Sequence, residues 1–174
     1  METAIISIIC IALMVFGGMA MSNGFMTSVD TSTAGLEEVG QRNEIIMRTE
    51  LTPVSANASL VAGPDPVDTV LENAGQTKMA DFDKWDVIIQ YYDDSSTYHA
   101  VWLPFSDEGA GANEWEVVWI RLNGESEIFE TNVLNPGEQI LIRAWLDPSI
   151  GAGTTNMVVI STPSGVTSST YFSP

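Results

Sequence analysis

"ETAIISIICIALMVFGGMAMSNGFM", residues 2–26, is the stretch whose reading decides the fold. Residues 3–29 form 27 consecutive uncharged positions, bounded by Glu2 and Asp30. As a helix rising about 1.5 Å per residue, such a run is roughly 40 Å long, more than the ~30 Å hydrocarbon core of a bilayer requires. A secretory signal needs a positive start, a shorter apolar region and a small-residue cleavage site; this chain starts Met1-Glu2. A single-span anchor normally carries Lys or Arg on its cytoplasmic flank, and none precedes the run. The simplest expectation is a processed chain whose basic leader was cut before residue 1. A helix apolar all round must be buried on every side, in lipid or among copies of itself.

The helical rhythm continues through "TSTAGLEEVGQRNEIIMRTEL" (31–51), where Val29, Leu36, Val39 and Ile46 recur at spacings near 3, 4 and 7. One helix is expected over residues 2–50, apolar all round at first and striped later, with Pro53 as a stop. Gly17, Gly18, Gly24, Gly35 and Gly40 lower helix propensity in water but permit close helix–helix approach in an apolar setting. A kink or melted turn is expected near Gly17-Gly18 or Ser22-Asn23-Gly24.

From residue 51 the texture changes to short apolar runs between turn residues: "VDTVLEN" (67–73), "WDVIIQYYD" (85–93), "YHAVWLPF" (98–105), "EWEVVWIRL" (114–122), "EIFETNVL" (127–134), "QILIRAWLD" (139–147), "NMVVIST" (156–162) and "VTSSTYF" (166–172). Seven or eight strands at this spacing predict an antiparallel, Ig-like β-sandwich. The fold class is therefore α+β, divided into a helix over 1–50 and a sandwich over 51–174. In "QILIRAWLD" Ile140, Ile142, Ala144 and Leu146 share one face, while Leu141 and Trp145 fall on the other beside Gln139 and Arg143. Apolar residues on an outward face suggest contact with neighbours; capping of the core edge explains them equally well.

The net charge is −17, and 22 of the 23 acids and all six basic residues lie beyond Val29. Such a surface repels nucleic acid and anionic lipid head groups. It fits a solvated acidic face, adaptation to high salt, or attraction of divalent cations. Cys10 is the single cysteine, so no internal disulfide forms, and a lone cysteine among isoleucines reads as a small apolar packing residue. His99 is the single histidine, inside a strand, and no nucleophile elbow or phosphate-binding loop accompanies it. No enzyme and no cofactor are expected. Asp81, Asp83 and Asp86, and Asp93 with Asp94, form two acidic clusters that match no calcium loop, which leaves a metal site undetermined. Asn57-Ala58-Ser59 fits the N-glycosylation acceptor pattern.

An uncharged amino-terminal helix running without a linker into an acidic sandwich resembles archaellin, the filament protein of the archaeal flagellum, together with its small accessory subunits. "VLENAGQTKMADFDKWDVIIQYYD" (70–93) resembles that family's strand, Asn-x-Gly-x-Thr, short acidic turn and aromatic strand. "LNPGEQILI" (134–142) resembles its Asn-Pro-Gly-Glu turn, and "VVISTPSGVTSSTYF" (158–172) its closing hairpin. The resemblance implies a homo-oligomeric helical filament on the cell surface, reached through a membrane-embedded monomer and handled by the archaellum motor and export machinery. Ile5, Ile6, Ile9, Leu13, Phe16, Gly17, Gly18, Gly24 and Phe25 would pack the filament core, and Glu2 would face the amino terminus of an adjacent subunit. Sequons are frequent in archaellins and sparse here. The alternatives are a membrane-anchored accessory or adhesive type IV pilus-like subunit that binds the cell envelope or a surface and, from another class, an anchored metal-dependent hydrolase.

Overall fold

A computed structural model of the protein describes residues 2–174, with side chains from Ile5 onward. The expected Glu2 contact therefore lies outside the described side chains. Helix α1 runs Glu2–Arg48 without interruption. The expected melted turn is absent among the described residues: all five glycines lie within one continuous helix. Hydroxyls along the helix satisfy themselves, with Thr27, Thr31 and Thr33 donating to the carbonyls four residues back, each at 2.9 Å. That back-bonding removes the need for water around these residues.

The chain separates into two compact units, Met1–Glu44 and Ile45–Pro174. In the second unit nine strands form two antiparallel sheets. The five-stranded sheet has the order β1 (Leu51–Ala58), β2 (Asp65–Asn73), β7 (Gln139–Leu146), β5 (Trp115–Leu122), β6 (Glu125–Ser126). The four-stranded sheet has the order β4 (Tyr98–Leu103), β3 (Asp86–Tyr92), β8 (Asn156–Ser161), β9 (Thr167–Phe172). Their inward faces follow the period-2 pattern read from the sequence. Val67, Thr69 and Leu71 alternate inward on β2, and Val87, Ile89 and Tyr91 do so on β3. Ile140, Ile142, Ala144 and Leu146 of β7 are all buried in the core, as their shared face requires. Trp85, Trp115 and Phe172 fill the same cluster. Each Leu, Ile or Val so buried contributes about 1.5–3 kcal/mol, which gives this unit a core of its own.

Two strand expectations fail. "EIFETNVL" (127–134) is a loop, and only Glu125–Ser126 pairs with the end of β5. The Glu127 carboxylate bends the chain there, because its Oε1 accepts the backbone N–H groups of Ile128, Phe129 and Glu130 at 3.0, 2.7 and 3.1 Å. Three converging N–H groups make a turn, not a ladder. Conversely, "LTPVSANA" is strand β1, an element not expected at all. Pro53 lies at an irregularity of the β1–β2 register on a sheet edge, the one kind of place where a strand tolerates a residue without N–H. The helix ends at Arg48, two residues earlier than expected.

Candidate assembly surfaces

The residues expected to pack a filament core lie on every side of α1. Ile5, Ile6, Ile9, Leu13, Phe16 and Phe25 are all exposed, Phe16 to 75%. A Cβ added at Gly17, Gly18 or Gly24 would meet nothing within 4 Å. The later stripe is equally bare: Val29, Leu36 and Val39 are exposed. Cys10 is exposed among them. Between Ile5 and Val29 alone, fourteen large apolar side chains face outward. Leaving them in water forgoes on the order of 20 kcal/mol or more of burial. This segment is long and apolar enough to cross a membrane by length and composition.

At the start of the second unit the two archaellin-like turn motifs come together. Asn73, fully buried, donates from Nδ2 to the carbonyls of Thr77 (2.8 Å) and Leu134 (3.0 Å), and its Oδ1 accepts the Gly75 N–H at 3.1 Å. Its backbone exchanges hydrogen bonds with the Asn135-Pro136-Gly137-Glu138 turn: Asn73 N to Glu138 O at 2.9 Å, and Gly137 N to Asn73 O at 2.8 Å. Glu138 closes that turn by accepting the Asn135 N–H at 2.6 Å. Gln76 N donates to Arg48 O at 2.7 Å, and the Thr49 and Thr77 hydroxyls share a hydrogen bond of 2.6 Å. Gly75 must be glycine, since a Cβ there would stand 2.5 Å from Glu50 N and 2.6 Å from Arg48 O. The motifs are thus one hydrogen-bonded cluster around the chain's entry into β1. Sequence reading recognised them separately; only the β2–β7 pairing joins them.

The acidic clusters are used locally. Asp81 pairs with Lys84 at 2.6 Å, and the hydrogen bond that Lys84 Nζ donates to the Asp81 carboxylate, with the charge of that carboxylate, raises the Lys84 pKa. Asp86 Oδ1 accepts Trp102 Nε1–H at 2.9 Å. Asp93 accepts from Ser95 and Thr97 backbone N–H groups, both at 2.8 Å, and contacts His99 Nε2 at 2.9 Å. These bonds, the one to His99 first, hold its carboxyl well below the usual range. His99 stacks on Tyr91, ring centroids 5.0 Å apart. Tyr91 donates to Pro148 O at 3.1 Å, and burial pushes its pKa up to about 12. An open groove of about 450 Å³ between Phe82, Phe105 and Ile120 is edged by Asp81, Asp83, Asp107 and Glu116. Among the described residues no group of three or more His, Cys, Asp or Glu is placed to hold a metal ion. Asn57 is exposed on the edge strand β1.

Register places Trp119 opposite Leu141, and Trp145 opposite Pro66, on the outward side of the five-stranded sheet. Leu141 is buried yet stands outside the core cluster. The second-face apolar residues of "QILIRAWLD" therefore form their own outer layer, flanked by the bidentate Arg143–Asp68 pair at 2.6 and 2.7 Å.

The sequence matches no protein-family model and no curated protein. Among solved structures it is similar to a chain of the archaeal flagellum of Methanospirillum hungatei strain JF1, with TM-score 0.58 and 13% identity over 95% of this chain and 88% of that chain. It is also similar to the archaellum periplasmic stator protein FlaG from Sulfolobus acidocaldarius, at 20% identity and TM-score 0.49, covering 71% of this chain and 99% of that chain. A chain of the FlaF and FlaG stator complex of the same organism gives the same identity and TM-score, over 71% and 89%. The chain thus shares the fold of a flagellar chain, a long apolar helix followed by two antiparallel sheets.

Proposed function

We propose that the chain is a structural subunit of an archaellum-type helical filament for swimming motility, its helices forming the filament core and its sandwiches the outer sheath. The observation that carries this is the unbroken helix α1, exposed on all described sides from Ile5 to Ile45. Its 47 residues amount to roughly 70 Å, more than twice the hydrocarbon thickness. A bilayer would cover the uncharged run of residues 3–29 but not the apolar stripe of Leu36, Val39 and Ile45 beyond it, whereas a bundle of copies would cover both. In lipid there is no hydrophobic drive between helices, so close packing at small residues favours association; Gly17, Gly18 and Gly24 are such positions. Heterologous contacts that do not close into a ring make an open filament. The shared fold with a chain of an archaeal flagellum supports the same reading. The filament would be turned by a separate motor, so the subunit itself has no need of catalysis. On the cell surface, Asn57 would be the glycan acceptor.

Purified full-length chain, freed from detergent, should form filaments visible by electron microscopy. Replacing Gly17 and Gly18 with leucine should abolish them while leaving the thermal melting of the sandwich unchanged. Monomers confined to lipid vesicles, with no filament under any condition, would overturn the reading in favour of a membrane-anchored accessory subunit.

A further inference from the structure

The open groove beside Phe82 differs from the other surfaces of the sandwich in what it touches. Residues 116–120, successive positions of β5, all line it. Successive side chains of a strand point to opposite faces, so a groove that meets them all runs along the edge of the strand. That edge is open. The Trp115 N–H donates to Pro104 O at 3.0 Å and the Trp115 carbonyl accepts the Ser106 N–H at 2.8 Å, both on the side away from β7. By alternation Glu116 turns its backbone groups to β7 and Val117 turns its own outward again. Further on, Ile120 O accepts the Glu127 N–H at 3.1 Å, and β6 pairs only with Arg121 and Leu122. Between these two closures the outward N–H and C=O of Val117 meet no partner among the described residues.

The apolar lining of the groove is Phe82, Phe105 and Ile120, and its mouth is acidic. Asp81 is paired with Lys84, and Glu116 stands opposite Arg143. Asp83 and Asp107 are exposed and accept no hydrogen bond or ion pair among the described residues. A bulge between Val117 and Trp119 keeps the free edge short. A short, bulged edge rimmed with charge resists pairing with further copies of the same acidic chain. The same features admit a segment of opposite charge.

We propose that the groove receives a short extended segment of a different, basic protein. The segment adds to the open edge, exchanging backbone hydrogen bonds with Val117, while its Lys or Arg side chains meet Asp83 and Asp107. Strand addition draws affinity from main-chain bonds and specificity from side-chain pockets. Here the aromatic lining takes the aliphatic stem of the base while the charged head stays at the rim. A second copy of this chain cannot supply the segment. Of the six basic residues, Arg42 and Arg48 lie in α1. Lys78 is paired with Glu130, Lys84 with Asp81 and Arg143 with Asp68, and Arg121 rests 4.5 Å from the centroid of the Trp119 ring. None stands unengaged in an extended segment. The contact is separate from the filament reading and holds with or without it.

The test is fluorescence anisotropy of a labelled peptide, Lys-Val-Thr-Val-Lys with both ends blocked, against full-length chain in a non-ionic detergent. The peptide should bind, and hydrogen exchange of the Val117 amide should slow about tenfold in its presence. A strand pairs through one edge at alternate residues. N-methylation of one set of alternate peptide amides should therefore abolish binding, and of the other set should leave it. Asp83→Asn combined with Asp107→Asn should weaken binding about fivefold, the effect of losing two exposed ion pairs. Both residues are exposed, so near-ultraviolet circular dichroism should stay unchanged. Absence of binding, or unchanged Val117 exchange in the complex, would overturn the site. Equal binding of the two methylated peptides would overturn the strand pairing, and equal binding of Glu-Val-Thr-Val-Glu would overturn the charge match. Val117 exchange that slows with the concentration of the chain alone would overturn the partner in favour of a second copy.

Discussion

Residues 5–29 and residues 139–146 are both rich in isoleucine and leucine, yet the first segment buries nothing and the second supplies four residues to the core. Period separates them. In β7, Ile140, Ile142, Ala144 and Leu146 point one way because successive side chains alternate across a strand. A second sheet can then cover that face, and does. In α1 an uninterrupted apolar run spreads around the whole helix, and no single element of the same chain covers all of it. The sandwich therefore carries its stability within itself, while the described apolar side chains of the helix from Ile5 to Val29 stay exposed in the single chain. Apolar content sets how much surface seeks cover; spacing sets who provides it.

The most severe way to break that contrast is to cut between the two regions. Residues 45–174 alone should fold, melt cooperatively and sediment as a monomer, with filament formation abolished. An unfolded or aggregated fragment in analytical ultracentrifugation would show that the sandwich depends on the helix. Next comes Gly75→Ala. The added Cβ meets backbone atoms at 2.5 and 2.6 Å, which cannot yield as a flexible side chain does. A loss of about 1–3 kcal/mol is expected by analogy with overpacked cores, read as a lower urea midpoint with little change in m-value.

A milder effect concerns acid. The depressed Asp93 pKa means that its carboxylate stabilises the fold above the unfolded value near 3.9, and that this contribution fades as pH falls below about 4. Asp93→Asn should lower the urea midpoint at pH 7, and the gap to the unaltered protein should narrow by pH 3. A gap constant with pH would refute the assignment. The smallest effect is expected at Arg143–Asp68, a half-exposed bidentate pair. The hydrogen bond with Asp68 raises the Arg143 pKa, but Asp68→Asn should cost only about 0.2–1 kcal/mol, and less in molar salt.

Much of the architecture was legible before any coordinates. The long helix, seven of the nine strands and the inward face of β7 all follow from periodicity. Strand β1 was not legible, because Pro53 reads as a helix stop unless one knows that its neighbour lies on one side only. The loop at 127–134 was misread as a strand, because "EIFETNVL" has strand composition and the deciding event is Glu127 folding back on its own backbone. The helix residues named for filament packing are exposed around α1. The exposed pair Ile128-Phe129 was hidden inside that misread strand.

By itself, the sequence determined the uncharged run, its helical reach, the alternation of the strands and the acidity of everything after Val29. These depend only on local spacing and side-chain chemistry. Tertiary structure alone decided that Asn73 joins two turns 60 residues apart, that Leu141 lies outside the core though buried, and which aromatic residues stand free. Those outcomes turn on which strands become neighbours, a choice made by long-range pairing and invisible in any short window of the chain.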